Sequence, residues 1–165
     1  MQASENLLKW AMRLYPPLFF QRIWVQRFHK NFRGVDVKIN HSLITKNYNS
    51  SIFGGTIFSA TDPFYAILFD QVFKRKGYTN LVWLKSAEIK YIKPAKKNLF
   101  FTIKISEEDI NYAEQHLQQE GKYVSSFDID LYDADGILYV KVKNEIYIRN
   151  LNFNSNHLNK NPSSL

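Results

Sequence analysis

The sequence predicts an α+β domain, one sheet of about five strands with one main helix packed on it. Three observations carry this. Five runs read as strands, at residues 34–41, 81–93, 99–105, 123–132 and 137–148. One long apolar stretch, residues 47–77, is the only candidate for a central helix. No strand–helix–strand unit repeats, which argues against a doubly wound parallel sheet.

In chain order, Ser4 is positioned to cap a first helix on which Leu7, Leu8, Ala11 and Tyr15 recur at helical spacing, with Glu5 in its first turn. Pro16-Pro17 ends it. Phe20, Ile23, Trp24 and Phe28 then mark a second amphipathic helix flanked by Arg22, Arg27 and Lys30; the pair either docks on its own domain, the favoured reading, or lies on a membrane surface. From Gly34 the pattern alternates, with Val35, Val37, Ile39 and His41 on one side and Asp36, Lys38 and Asn40 on the other. Gly77 is a C-terminal stop for the long helix. The run 81–93 ends at Pro94, and 99–105 alternates in its second half. Ser106 with Asp109 opens a short helix bearing Ile110, Ala113 and Leu117 on one face, and Gly121 stops it. Residues 123–132 place Phe127, Ile129 and Leu131 inward. Asp133-Ala134-Asp135-Gly136 turns the chain back into 137–148 as a hairpin. The expected organisation is a helical extension over 1–33, the main domain over 34–149 and a flexible tail over 150–165.

With 165 residues, 45% of them hydrophobic, one domain can bury a real core. There is no cysteine, so disulfides and thiolate chemistry are excluded, and a reducing, cytoplasmic setting is expected. Lys9 and Arg13 interrupt the N-terminal apolar positions, so no secretory signal is expected, and no apolar run is long enough for a transmembrane segment. The net charge of +7 favours anionic partners. It is spread thinly, the densest group being Lys93, Lys96 and Lys97, and nucleic acid is not an expected partner.

Several chemistries lack their motifs. There is no G-x-S-x-G elbow, no P-loop and no dinucleotide glycine pattern. His29, His41, His116 and His157 are never spaced as metal ligands, so no metal is expected. The remaining candidates lie at residues 47–65. Gly54-Gly55 is either a tight turn into the helix or a pair of free N–H groups that can hold an oxyanion. Asp62 precedes Pro63 in apolar surroundings. In an unbroken helix Pro63 costs on the order of 3 kcal/mol; as an N-cap, Asp62 returns roughly 1 kcal/mol. It is therefore either a cap at a helix break or a carboxylate kept for chemistry.

The run Asn47-x6-Gly54-Gly55-x6-Asp62 is similar in spacing to the motif of bacterial acyl-CoA thioesterases of the phenylacetate-pathway type, which are hotdog-fold proteins. The stretch EIKYIKPA, Glu88 to Ala95, resembles a strand of the same proteins. A fuller resemblance, over residues 12–149, is to a largely uncharacterised bacterial branch of that superfamily with an Asn-x-Asn, Gly-Gly-Ser/Thr, Asp-Pro-Phe pattern, matched by Asn47, Asn49, Gly54, Gly55, Thr56, Asp62, Pro63 and Phe64. The resemblance implies a five-stranded antiparallel sheet wrapped around the helix and a site between subunits of a homodimer, often paired into a homotetramer. It also implies Asp62 as general base or nucleophile, Gly54 and Gly55 as the oxyanion hole, and Asn47 as the positioning group. Asn49, Phe53, Thr56, Phe58 and Tyr65 are candidate substrate contacts, and Lys93, Lys96 and Lys97 candidates for the phosphates of coenzyme A, which enters as part of the substrate and not as a cofactor. Phe53 stands where the thioesterase motif has His, which argues against a dehydratase.

The expected function is hydrolysis of an acyl-CoA or related acyl thioester. The alternative is a non-catalytic acyl- or lipid-binding protein or dimeric scaffold of the same fold, with Asp62 as a cap.

Overall fold

A computed structural model describes residues 3–153. The first helix, α1 (Glu5–Leu14), starts where the Leu7 N–H donates to Ser4 Oγ at 3.2 Å. It stops because Tyr15, preceding a proline, is extended. Pro16 then opens α2 (Pro16–Phe20), a position where its missing N–H costs nothing.

The second amphipathic helix expected over residues 20–28 is absent. Most of it is instead a strand, β1 (Ile23–Phe28), antiparallel to β2 (Gly34–Ile39). The physical reason is a bulge between Val25 and Arg27. One extra residue turns the inward set into Ile23, Val25 and Phe28, a spacing that mimics a helix in the sequence. The segment before Gly34 therefore contributes an edge strand as well as helices. In β2, Val35, Val37 and Ile39 are fully buried as expected, whereas His41 lies past the strand, its N–H donating to Asn98 Oδ1.

The long helix forms as two helical stretches, α3 (Gly54–Thr61) and α4 (Pro63–Arg75), joined by Asp62 in helical conformation. Asp62 still donates its N–H to the Phe58 carbonyl at 3.0 Å, while Pro63 has no N–H to return. At the far end the Gly77 N–H reaches the Lys74 carbonyl and the Tyr78 N–H the Phe73 carbonyl. Gly77 takes φ +89, and the Phe73 and Tyr78 rings meet edge to face, which completes a Schellman stop.

Next come β3 (Asn80–Tyr91), β4 (Leu99–Lys104), α5 (Glu107–Gln119, with the Ser106–Asp109 capping box), β5 (Lys122–Tyr132) and β6 (Leu138–Asn150). Among the described residues the sheet has six strands in the order β1-β2-β4-β5-β6-β3, all neighbours antiparallel. The sixth is β1, the strand that the helical spacing disguised. Leu68, Phe69 and Phe73 of α4 join Val37, Ile103, Leu131 and Val140 of the sheet in one core. The tail expected to fray falls mostly outside the described residues. In its described part the Leu151 N–H donates to the Thr79 carbonyl and the Phe153 ring lies over Gly121. No helix among the described residues is long and apolar enough to cross a membrane.

Candidate functional site

The start of α3 is built by the loop before it. Asn47 Oδ1 accepts from the Asn49 N–H (2.9 Å), the Ser51 N–H (3.2 Å) and Ser51 Oγ (3.1 Å). That oxygen is committed to the loop, which leaves the amide NH2 of Asn47 for a ligand. The Phe53 N–H donates to the Thr45 carbonyl and the Ile52 N–H to the Ala95 carbonyl, pinning the loop against the segment that follows β3. Tyr91 closes the link, its Oη donating to the Gly54 carbonyl at 3.0 Å. Two stretches about 40 residues apart in sequence thus meet at one place. They wall a pocket of about 350 Å³ lined by Asn47, Gly54, Ile57, Tyr91, Lys93 and Ala95, among others.

Within α3, Thr56 and Ile57 both direct their N–H groups at the Phe53 carbonyl. The N–H groups of Gly54 and Gly55 find no acceptor among the described residues, as expected for the first turn of a helix. Each of these glycines sits close under an exposed aromatic side chain. A Cβ on Gly54 would lie 2.9 Å from Tyr91 Oη, and one on Gly55 would lie 2.4 Å from the Phe53 ring.

Asp62 is half-buried at the junction of α3 and α4. Its side chain makes no capping hydrogen bond to α4, and its backbone is helical where an N-cap is extended. Burial pushes its carboxyl above the ordinary Asp value. It does not line the pocket at Gly54. Along the helix it lies roughly 10 Å from Gly55, so one chain does not bring the carboxylate and the free N–H groups together.

The other candidates divide. Lys93 lines the pocket, its Nζ 5.2 Å from the centre of the Tyr139 ring. Lys97 lies in a different recess beside His41 and Asn98, paired with Asp135 at 2.7 Å and Asp133 at 3.6 Å. Lys96 is exposed, as are Asn49, Phe53 and Phe58. Thr56 is buried. Tyr65 faces the sheet: it stacks on Phe127 at 4.7 Å and its Oη donates to the Asp128 carbonyl. That places it in the core, and burial raises its phenol pKa.

Sequence reasoning missed Asn144. It is completely buried on β6, and its Nδ2 donates to the Thr61 carbonyl at 2.8 Å, next to Asp62. Its Oδ1 is buried without a partner. The signal was present, since Val140, Val142, Asn144, Ile146 and Ile148 share the inward register and only one of them is polar. Among the described residues no cluster of three or more His, Cys, Asp or Glu side chains is placed to hold a metal.

A long helix against an antiparallel sheet, with an open pocket at the helix start, is the architecture of the hotdog fold, and solved structures match it over nearly their whole length. PA5026 of Pseudomonas aeruginosa, a protein of unknown function, has a TM-score of 0.81 at 16% identity, covering 91% of this chain and 98% of its own. The thioesterase HI1161 of Haemophilus influenzae gives 0.67 at 9% identity over 94% and 96%. The Escherichia coli PaaI protein from the phenylacetic acid degradation operon gives 0.60 at 14% identity over 87% and 95%. The chain belongs to the family described as a domain of unknown function, DUF4442, whose model matches residues 4–148. No curated protein matches the sequence.

Proposed function

We propose that the protein hydrolyses an acyl thioester, of coenzyme A or a related carrier, in a groove between two copies of the chain. The observation that carries this is Asp62. It is a half-buried carboxylate in mid-helix, raised in pKa by burial and unused as a cap. A carboxylate with a raised pKa is a stronger base, suited to activating water or attacking directly. The free N–H groups of Gly54 and Gly55 supply the donors that a developing oxyanion needs, at the positive end of a helix. Because these groups lie roughly 10 Å apart on one helix, the second copy's helix completes the site by running antiparallel to the first. Each Asp62 then faces the partner's helix start. The long edge strand β3, with a neighbour on one side only, offers backbone groups for such pairing. Lys93, at the pocket mouth, is the cation best placed to meet a carrier phosphate. Structural neighbours described as thioesterases are consistent with this reading.

The test is thiol release from short, medium, long and aromatic acyl-CoAs by wild type and Asp62→Asn, with sedimentation to compare assembly. Turnover on some substrate, lost in the variant with the oligomer intact, is the expected result. Turnover retained by Asp62→Asn, or no turnover on any of these or on carrier-bound acyl groups, refutes the proposal.

A further inference from the structure

Helix α1 docks by a narrow face. Met12 is buried and Leu8 half-buried, while Leu7, Trp10 and Leu14, at positions i, i+3 and i+7, form an apolar ridge facing solvent. The ridge runs into the corner between α1 and α2. Residues 14–20, LYPPLFF, contain no charged side chain, and only Leu18 turns inward, at 2% exposure. Leu14 is 67% exposed and Phe20 68%, with Tyr15 and Phe19 also in solvent. The Phe19 and Phe20 rings stand edge to face at 5.5 Å, packed on one another. Trp24 extends the surface onto β1. The Arg13 guanidinium lies between the two indoles, 4.7 Å from the Trp10 ring and 4.3 Å from the Trp24 ring.

Exposed Arg22 follows α2, and Lys38 pairs across from Trp24, in a cation-rich part of the chain. Residues 1–40 carry seven Lys and Arg (Lys9, Arg13, Arg22, Arg27, Lys30, Arg33 and Lys38) against Glu5 and Asp36. That leaves a net +5 of the whole chain's +7 in a quarter of its length. Both acidic groups are already paired, Glu5 with Arg75 at 3.0 Å and Asp36 with Arg27, and Arg33 is paired with Glu107 at 2.5 Å, so among the described residues Lys9, Arg22 and Lys38 are the cations left near the corner.

We propose that this corner docks the protein on an anionic phospholipid surface. Phe19, Phe20 and Leu14 enter the acyl boundary, the Trp and Tyr rings settle at headgroup depth, and the flanking cations meet lipid phosphates. The order of chemistries matches a bilayer read from its interior outward: uncharged aliphatic and aromatic side chains at the tip, amphipathic rings beside them, and Arg22 at the rim, while Arg13, bonded to the Val25 and Gln26 carbonyls, holds the two indoles in place. The excess of positive charge selects an anionic surface over a neutral one. No helix among the described residues can span, so attachment is peripheral. The inference is independent of any chemistry at Asp62.

The test is flotation of the full chain with vesicles of phosphatidylcholine alone and with added phosphatidylglycerol. Binding is expected to be at least about tenfold stronger to the anionic vesicles and to weaken at high salt. Phe19→Ser with Phe20→Ser is expected to reduce it by at least about tenfold, with the melting temperature unchanged because both rings are exposed. In a Trp83→Phe background the remaining Trp10 and Trp24 emission should shift to the blue on vesicle addition. Absence of binding to anionic vesicles, or binding that survives the double substitution, overturns the proposal. So does an oligomer that the double substitution dissolves without vesicle binding by wild type, which would assign the surface to a second copy of the chain.

Discussion

Replacing Asn144 by Leu tests how the sheet holds the centre of the helix. The substitution removes the bond from Nδ2 to the Thr61 carbonyl and strands that buried acceptor, for which no other donor is found among the described residues, at a cost of about 1–3 kcal/mol. It also removes Oδ1, which is buried without a partner and costs about 1–3 kcal/mol where it stands. Leu is close in volume and enters a register already filled by Val142 and Ile146. The two effects nearly cancel, leaving the variant within about 2 kcal/mol of wild type in either direction, or roughly 4–8 °C in melting temperature for a chain of this size. Urea denaturation followed by circular dichroism measures it directly. A destabilisation above about 2 kcal/mol would refute the reasoning, because it would mean that Oδ1 has a hydrogen-bond partner in the native protein. Thiol release is expected to fall in the same variant even if it is more stable, since the carbonyl next to Asp62 loses its anchor.

Asp62→Asn is expected to be more stable than wild type at neutral pH. Burial raises the folded-state pKa of Asp62, so ionising it costs stability as pH rises from the ordinary value of 3.8 through the folded value. The gap should close below pH 3.8, and denaturant midpoints at several pH values would show it. Gly34→Ala places a Cβ 2.6 Å from the Ile103 carbonyl in the neighbouring strand and 2.6 Å from the His29 ring. Because the carbonyl belongs to the β2–β4 ladder and cannot withdraw, a loss of about 2–4 kcal/mol is expected in thermal melts. Ser106→Ala removes the cap of α5 at about 1 kcal/mol, measurable as a drop in urea midpoint with unchanged slope.

The sequence made the five strands from Gly34 onward legible because their inward residues keep a period of two; β5 and β6 follow it closely. It concealed β1 because the bulge breaks that period, and pairing with β2, not local pattern, decides the conformation. Of the residues that the sequence singles out, Asn47, Gly54 and Lys93 line the pocket at the helix start, each at a turn or just past a strand end. Tyr65 does not. The long helix is apolar on most of its surface, so nothing in the sequence says that Tyr65 faces the sheet while Phe58 faces solvent. Asp62 showed itself as an anomaly. Whether it capped a new helix was decided only by its helical backbone and the missing side-chain bond.

The strand order also governs how the chain reaches this state. In β3, Asn80 pairs with Asn150 and Tyr91 with Val140, so its one partner among the described residues is β6, which follows it by about fifty residues. Until residue 150 has left the ribosome, β3 has no hydrogen-bonding neighbour and α4 lacks the β6 surface that buries it. Pairing over such sequence distances slows folding. The nascent chain therefore carries an open apolar layer until β6 is made, and removing β6 would leave the central helix without a floor.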